Sequence, residues 1–224
     1  MEKISDLILY KDHHLIAINK PAGLATQKDK SGEINAHQLI MAYAHRDIYV
    51  VHRIDQRVSG VLLFTKTKNA AAELARQWKD NFVVKIYYGI VPIADIPKEA
   101  TLKHYLTYDH KNNITTSHID LPNEKADESV LEYKVIQQLD NFMVLEIKLL
   151  TGRKHQIRSQ LSAIGVPIKG DVKYGSKRTN DYNAIDLHAY SISFLHPTSA
   201  KPFTVTAPFP EEGLWKHVVR EVRE

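Results

Sequence analysis

The feature that most limits the fold is a recurrence of short strand-forming runs with few helical patterns between them. Ile8 to Tyr10 and Leu15 to Asn19 flank the polar turn Asp12-His13-His14, and Pro21 with Gly23 closes the second run. Val61 to Thr65 is apolar enough for a buried strand, and residues 82–91 are rich in Val, Ile and Tyr. Val130 to Gln137 alternates, and Phe142 to Leu150 follows across Asp140-Asn141, the pattern of a hairpin. Leu187 to Leu195 and Pro202 to Thr206 are two further strands. Helical periodicity is confined to Asn35–His45, a segment from a cap at Asn69 to about Trp78, His155–Ile164, and a closing helix over Glu211–Arg223. Between Pro92 and Lys125 the chain reads as polar and irregular, with short strands near 102–108 and 115–119 in a loop-rich lobe. Strands that come in runs, without a helix after each, predict an α+β fold. Its sheet should be mixed and largely antiparallel, not doubly wound. The 224 residues suffice for one large domain or two small lobes.

Composition narrows the chemistry. There is no cysteine, which excludes disulfides and thiolate metal sites. Twelve histidines are scattered, and no pair has the spacing of a helical zinc motif. Met1 to Asp12 mixes charged and apolar residues, unlike a secretory signal, and no segment approaches the roughly 18 apolar residues of a membrane span. An intracellular, cytoplasmic location is therefore expected. The net charge of +4 leans toward an acidic partner such as nucleic acid, though many basic proteins bind none.

Two dense segments carry the candidate chemistry. His52-Arg53-Ile54-Asp55, then Ser59-Gly60, sets one carboxylate between a cationic loop and a buried strand. For an arbitrary aspartate a turn cap is the commoner role. A neighbouring arginine, however, favours the ionised form, and a rigid mount suits a nucleophile or base. The second segment is Thr151-Gly152-Arg153-Lys154-His155-Gln156-Ile157-Arg158, continuing through Gly165 to Gly175. Arg158 falls one position round from the face formed by Ile157, Leu161 and Ile164, which is either a solvated position or the edge of a cleft. From there its planar fork reaches a carboxylate in a two-pronged contact. Tyr87 in Lys85-Ile86-Tyr87-Tyr88 is a core aromatic by default, or a ring on which a base stacks. The glycines read as turn and cap residues, because no phosphate-cradling glycine motif is present. Arg153, Lys154, Lys169, Lys173, Lys177 and Arg178 make this part of the chain basic: a solvated face, or a track for a phosphate backbone.

In order along the chain, Asn19-Lys20-Pro21-Ala22-Gly23, His52-Arg53-Ile54-Asp55 with Ser59-Gly60, Lys85-Ile86-Tyr87, Thr151-Gly152-Arg153 with His155-Gln156-Ile157-Arg158 and Gly165 through Gly175, and Leu187-His188-Ala189 with His196-Pro197 form five collinear motifs. With them the chain resembles the RluA family of RNA pseudouridine synthases from Leu9 to about Phe209. The resemblance implies a mixed sheet in two lobes around an RNA cleft. It also implies isomerisation of uridine to pseudouridine in transfer or ribosomal RNA, without cofactor or metal. Residues 1–224 would then be a single catalytic domain, monomeric, with no accessory RNA-binding domain in front. Asp55 matches the family's catalytic aspartate, Tyr87 the tyrosine packed on the target base, and Arg158 the basic residue paired with the aspartate. Arg53 matches the arginine that fills the gap left by the flipped nucleotide. Along with Arg53, the expected RNA contacts are His52, Lys20, Arg153, Lys154, His155, Gln156 and Lys169. Val58, Ile54 and Ser159-Gln160 depart from the family's commoner threonine, leucine and valine-histidine.

Two other readings compete. One is a non-catalytic RNA-binding module built on the same fold, but such a module needs no buried anionic carboxylate facing phosphates. A retaining hydrolase using Asp55 as nucleophile needs a second acid at a set distance, and no paired carboxylate stands out.

Overall fold

A computed structural model describes residues 3–28, 32–122, 125–182 and 184–219. In chain order its strands are β1 (Ile8–Lys11), β2 (Leu15–Lys20), β3 (Tyr49–Val50), β4 (Ser59–Thr65), β5 (Val84–Pro92), β6 (Glu99–Asp109), β7 (Ile114–His118), β8 (Asp127–Gln138), β9 (Phe142–Leu149), β10 (Leu187–Leu195) and β11 (Pro202–Thr206). The helices are α1 (Ala36–Ala44), α2 (Lys68–Lys79) and α3 (Gln156–Ala163). The fold is α+β with mostly antiparallel pairing, as the strand-rich sequence predicts. The chain forms two compact units, one running to Ile86 and completed by His188–Phe209, the other Tyr87–Leu187 with the residues from Pro210 on.

In the first unit the strand order is β1-β2-β4-β10, with β3 on β4 and β11 on β10. Leu15 and Ala17 of β2, Val61 and Leu63 of β4, and Ile192 and Phe194 of β10 alternate onto one face and are buried against Leu74 of α2. α1 opens on a capping box: the Asn35 side chain accepts from Gln38 N, while Gln38 reaches back to Asn35 N. α2 is capped two residues before the expected Asn69, by Thr67, whose side chain accepts from Ala70 N. β4 runs parallel to β10, with Gly60 opposite Ala189. Gly60 has φ +110°, and a Cβ there would stand 2.2 Å from the Ala189 carbonyl oxygen. A glycine is therefore required where the Asp55 loop feeds into the sheet.

The second unit holds the order β5-β9-β8-β6-β7. Here the structure corrects the expected irregular stretch: β6 has 11 residues and pairs with β7 and with β8, and β8 extends the expected Val130–Gln137 strand to 12. These strands look polar in sequence because they are only partly buried along their length. α3 is also less amphipathic than expected, since Gln156 through Leu161 are all buried. Within the described part of the expected Glu211–Arg223 helix the chain forms a 3-10 turn, Gly213–His217, with Trp215 as its buried anchor. The remainder of that expectation, 220–223, lies outside the described residues. Among the described residues no helix is long and apolar enough to cross a membrane.

Candidate active site

Asp55 sits in the loop between β3 and β4, half-buried, with Arg53 exposed beside it. The backbone on both sides of the carboxylate is tied down. On the N-terminal side the Thr26 hydroxyl donates to Ile54 O (2.9 Å) and accepts from Ile54 N (3.4 Å). On the C-terminal side Gln56 O accepts from Gly23 N at 2.8 Å and from Lys20 Nζ at 3.1 Å. Val58 N closes a turn onto Asp55 O at 3.1 Å. His52 anchors the start of the loop: its Nε2 accepts from Leu63 N at 2.9 Å, and its ring stacks on Trp78 with centroids 5.4 Å apart. Accepting through Nε2 requires an unprotonated nitrogen there. Burial, aided by the nearby Lys85 charge, pushes the His52 pKa down to about 3.

Lys20, expected as an RNA contact, is instead fully buried. Its ammonium donates to the carbonyls of Pro21 and Leu24 (2.8 Å each) as well as to Gln56. Burial lowers its pKa to about 7, against the opposing pull of the Asp55 carboxylate. A cation enclosed this way cannot lie on a phosphate rim, and it holds the loop from inside.

The second unit carries Tyr87, Arg158 and the remaining basic candidates. Arg158, on α3, is 5% exposed. Its Nε and Nη2 grip the fully buried Asp171 carboxylate at 2.6 and 2.9 Å, and its guanidinium lies 4.7 Å over the Tyr174 ring. This edge of the fork therefore serves Asp171. The Tyr174 oxygen accepts from Thr115 N (2.8 Å) and bonds His155 Nδ1 (2.8 Å), so His155 belongs to the same buried group. Gln156 is buried too. Its Oε1 accepts from Thr151 Oγ1 and Arg153 N, and its Nε2 donates to Val130 O, which latches the loop before α3. A side chain used up in this way is a scaffold element, not part of an exposed rim.

Arg153 is exposed and pairs with Asp127 at 3.2 Å. Lys154 is partly exposed, donates to the Tyr108 hydroxyl and lies over that ring. Lys169 pairs with the buried Asp186 at 3.0 Å. Tyr87 on β5 is buried at 9% exposure. Sequence reasoning gave no role to Thr26, Asp171 or Tyr174. Asp171 and Tyr174 both lie in the second dense segment, but nothing in their spacing assigns either a partner.

Residues 14–163 match the family model described as RNA pseudouridylate synthase. A ribosomal large subunit pseudouridine synthase C of Vibrio vulnificus (strain CMCP6) is 33% identical over 219 residues, covering 94% of this chain and 68% of that protein. The like-named protein of Rickettsia conorii is 33% identical over 92% of this chain and 69% of its own. A tRNA pseudouridine synthase C of Pectobacterium carotovorum is 28% identical over 96% of this chain and 61% of its own. Among solved structures, Human RNA Pseudouridylate Synthase Domain Containing 1 superposes with a TM-score of 0.76 at 22% identity, covering 90% of this chain and 82% of that one, a likeness of fold. The chain belongs to the RluA-type RNA pseudouridylate synthases, isomerases that form pseudouridine in RNA.

Proposed function

We propose that this chain isomerises a uridine of large-subunit ribosomal RNA, with Asp55 as the catalytic carboxylate. The observation that supports this most is the pinning of the backbone on both sides of Asp55, by Thr26 at Ile54 and by Lys20 and Gly23 at Gln56. The reaction breaks the bond from C1′ of the sugar to N1 of uracil, turns the base, joins C1′ to C5 and releases the C5 hydrogen. The detached base must not escape, so the carboxylate must be fixed in place before the substrate arrives. A side chain on a loop held by buried groups meets that requirement. The target nucleotide must leave its stack at a cost of about a few kcal/mol. Arg53, exposed beside Asp55, would fill the gap and offset that cost. Tyr87 would pack on the base. Arg158 would orient Asp55 through the part of its guanidinium not facing Asp171, while the Asp171 contact fixes its plane.

In this reading Arg153, Lys154 and Lys169 contact phosphates, the chain acts as one catalytic domain and a monomer in the cytoplasm, and no metal or cofactor takes part. The names of the 33%-identical relatives favour ribosomal RNA, and that of the Pectobacterium protein makes transfer RNA the alternative. Pseudouridine mapping of total RNA from cells with and without the gene tests this. A uridine in large-subunit RNA that is modified only when the gene is present supports the reading. A site in transfer RNA replaces the substrate, and no difference at any site refutes the proposal.

A further inference from the structure

We propose that the β6–β7 turn forms a second RNA contact, in which the His110 ring stacks on an unpaired base and Lys111, Lys154 and Lys173 hold the phosphates around it. This rests on the reading of the chain as an RNA-modifying enzyme. It adds the β6–β7 turn itself, residues 109–113, which none of the motifs includes, while Lys154 and Lys173 come from the second dense segment.

Four observations carry it. First, the turn is exposed yet its shape is fixed. The Asp109 carboxylate accepts from Lys111 N (2.8 Å), Asn112 N (3.2 Å) and Asn112 Nδ2 (2.6 Å), and Asn113 takes the left-handed conformation at φ 53°. The one acid of the turn is thus directed into its own backbone, and these hydrogen bonds hold its pKa below the usual carboxylate range. Second, lysines from three separate segments converge there. Lys173 donates to Asn112 O at 3.1 Å, Lys154 lies 4.3 Å over the Tyr108 ring and bonds its hydroxyl, and Lys111 projects from the turn itself. Third, the aromatic rings are prearranged. Tyr108 and His110 meet with centroids 4.6 Å apart at 73°, and Tyr108 bonds Asn113 Oδ1 at 2.7 Å. The exposed His110 ring is therefore backed by a ring that is itself held. Fourth, the support beneath is buried: Thr115, at the start of β7, donates to Lys154 O at 2.9 Å and receives the Tyr174 oxygen on its N–H at 2.8 Å.

An ordinary solvated hairpin tip has no reason to gather three lysines around a supported aromatic pair. Single-stranded nucleic acid is bound by this combination of cations for the backbone and a ring for the base. A protein partner of acidic character would use the lysines and leave the ring idle, so the ring separates the two.

The test is fluorescence anisotropy of the full chain with labelled oligouridine, across a salt series. His110→Ala should weaken binding about 5- to 140-fold, the range of one base stack. His110→Tyr should keep wild-type affinity. Lys111→Glu should lower the salt slope by roughly 0.7 for the lost phosphate contact. Both positions are exposed on a turn, so folding is not at stake. Wild-type affinity for His110→Ala overturns the proposal even if Lys111→Glu weakens binding, since charge reversal on a basic chain weakens binding nonspecifically. Pseudouridine formation is measured in parallel. If the variants behave as stated but the wild type modifies no RNA, the activity reading fails and the surface stands. If modification proceeds and His110→Ala binds like wild type, the surface fails and the activity stands.

Discussion

Replacing Arg158 by alanine should destabilise the protein through Asp171, whatever Arg158 does in catalysis. The Asp171 carboxylate is 0% exposed and takes two guanidinium donors, at 2.6 and 2.9 Å. Removing the arginine leaves that charge buried without its counter-ion, which costs about 3–5 kcal/mol. For a chain of this length each kcal/mol lowers the melting temperature by roughly 2–4 °C, so a drop of about 6–20 °C is expected. Arg158→Lys keeps the charge but offers one donor where two were used. Losing one charge-assisted hydrogen bond at about 1.5–3 kcal/mol corresponds to a drop of roughly 3–12 °C. A paired apolar replacement, Arg158→Met with Asp171→Leu, removes both charges and should melt above Arg158→Ala, because the uncompensated carboxylate has gone. Thermal unfolding followed by circular dichroism measures all three. An Arg158→Ala protein melting within about 1 °C of wild type would refute the reasoning.

Three other outcomes follow from the first unit. Gly60→Ala should cost roughly 2–4 kcal/mol, because the added methyl carbon meets the Ala189 carbonyl at 2.2 Å and the backbone is left-handed; urea unfolding reads it, and a loss below about 0.5 kcal/mol contradicts it. Lys20 has a folded pKa lowered to about 7, so between pH 7 and about 10.5 the unfolded chain binds more protons and stability rises with pH. Lys20→Met should reduce that rise in a pH series of melting curves, Lys66 and Lys85 being lowered by burial as well, and an unchanged rise would exclude Lys20 as a source. His52 is lowered to about 3, so its contribution to stability is complete above about pH 6.5 and is lost as pH drops from there toward 3. His52→Asn should flatten part of that limb, the buried His188, lowered to about 4, supplying the rest, and a limb of unchanged steepness would exclude His52 as a source.

The sheet was legible where pattern and burial agree. β4 has a dense apolar run, β10 and β11 alternate apolar with polar residues, and the expected bounds of β10 and β11 coincide with the observed ones. The long β6 and β8 were partly hidden, because half-solvated strands carry polar residues that read as loop. The 211–223 segment shows the converse: its apolar residues suggested a helix, but Trp215 and Val218 are buried from a short turn while Val219 is 65% exposed. At the candidate site the motif residues were easy to find, yet their environments were not. Lys20 and Gln156 look like surface polar residues in a basic chain. Only tertiary structure shows that one caps three carbonyls and the other latches a loop. No sequence spacing announces Thr26 as the partner of Ile54, because the two are 28 residues apart and meet only in the fold.

The central claim is that Asp55 performs the isomerisation. Formation of pseudouridine expels the hydrogen on uracil C5, so RNA carrying tritium at that position releases label to water with each turnover. With saturating enzyme in a single-turnover experiment, wild type should release label from large-subunit ribosomal RNA. Asp55→Asn should release none above background while binding the same RNA with wild-type affinity and melting near wild type. Label release by Asp55→Asn at a rate within about tenfold of wild type would contradict the account.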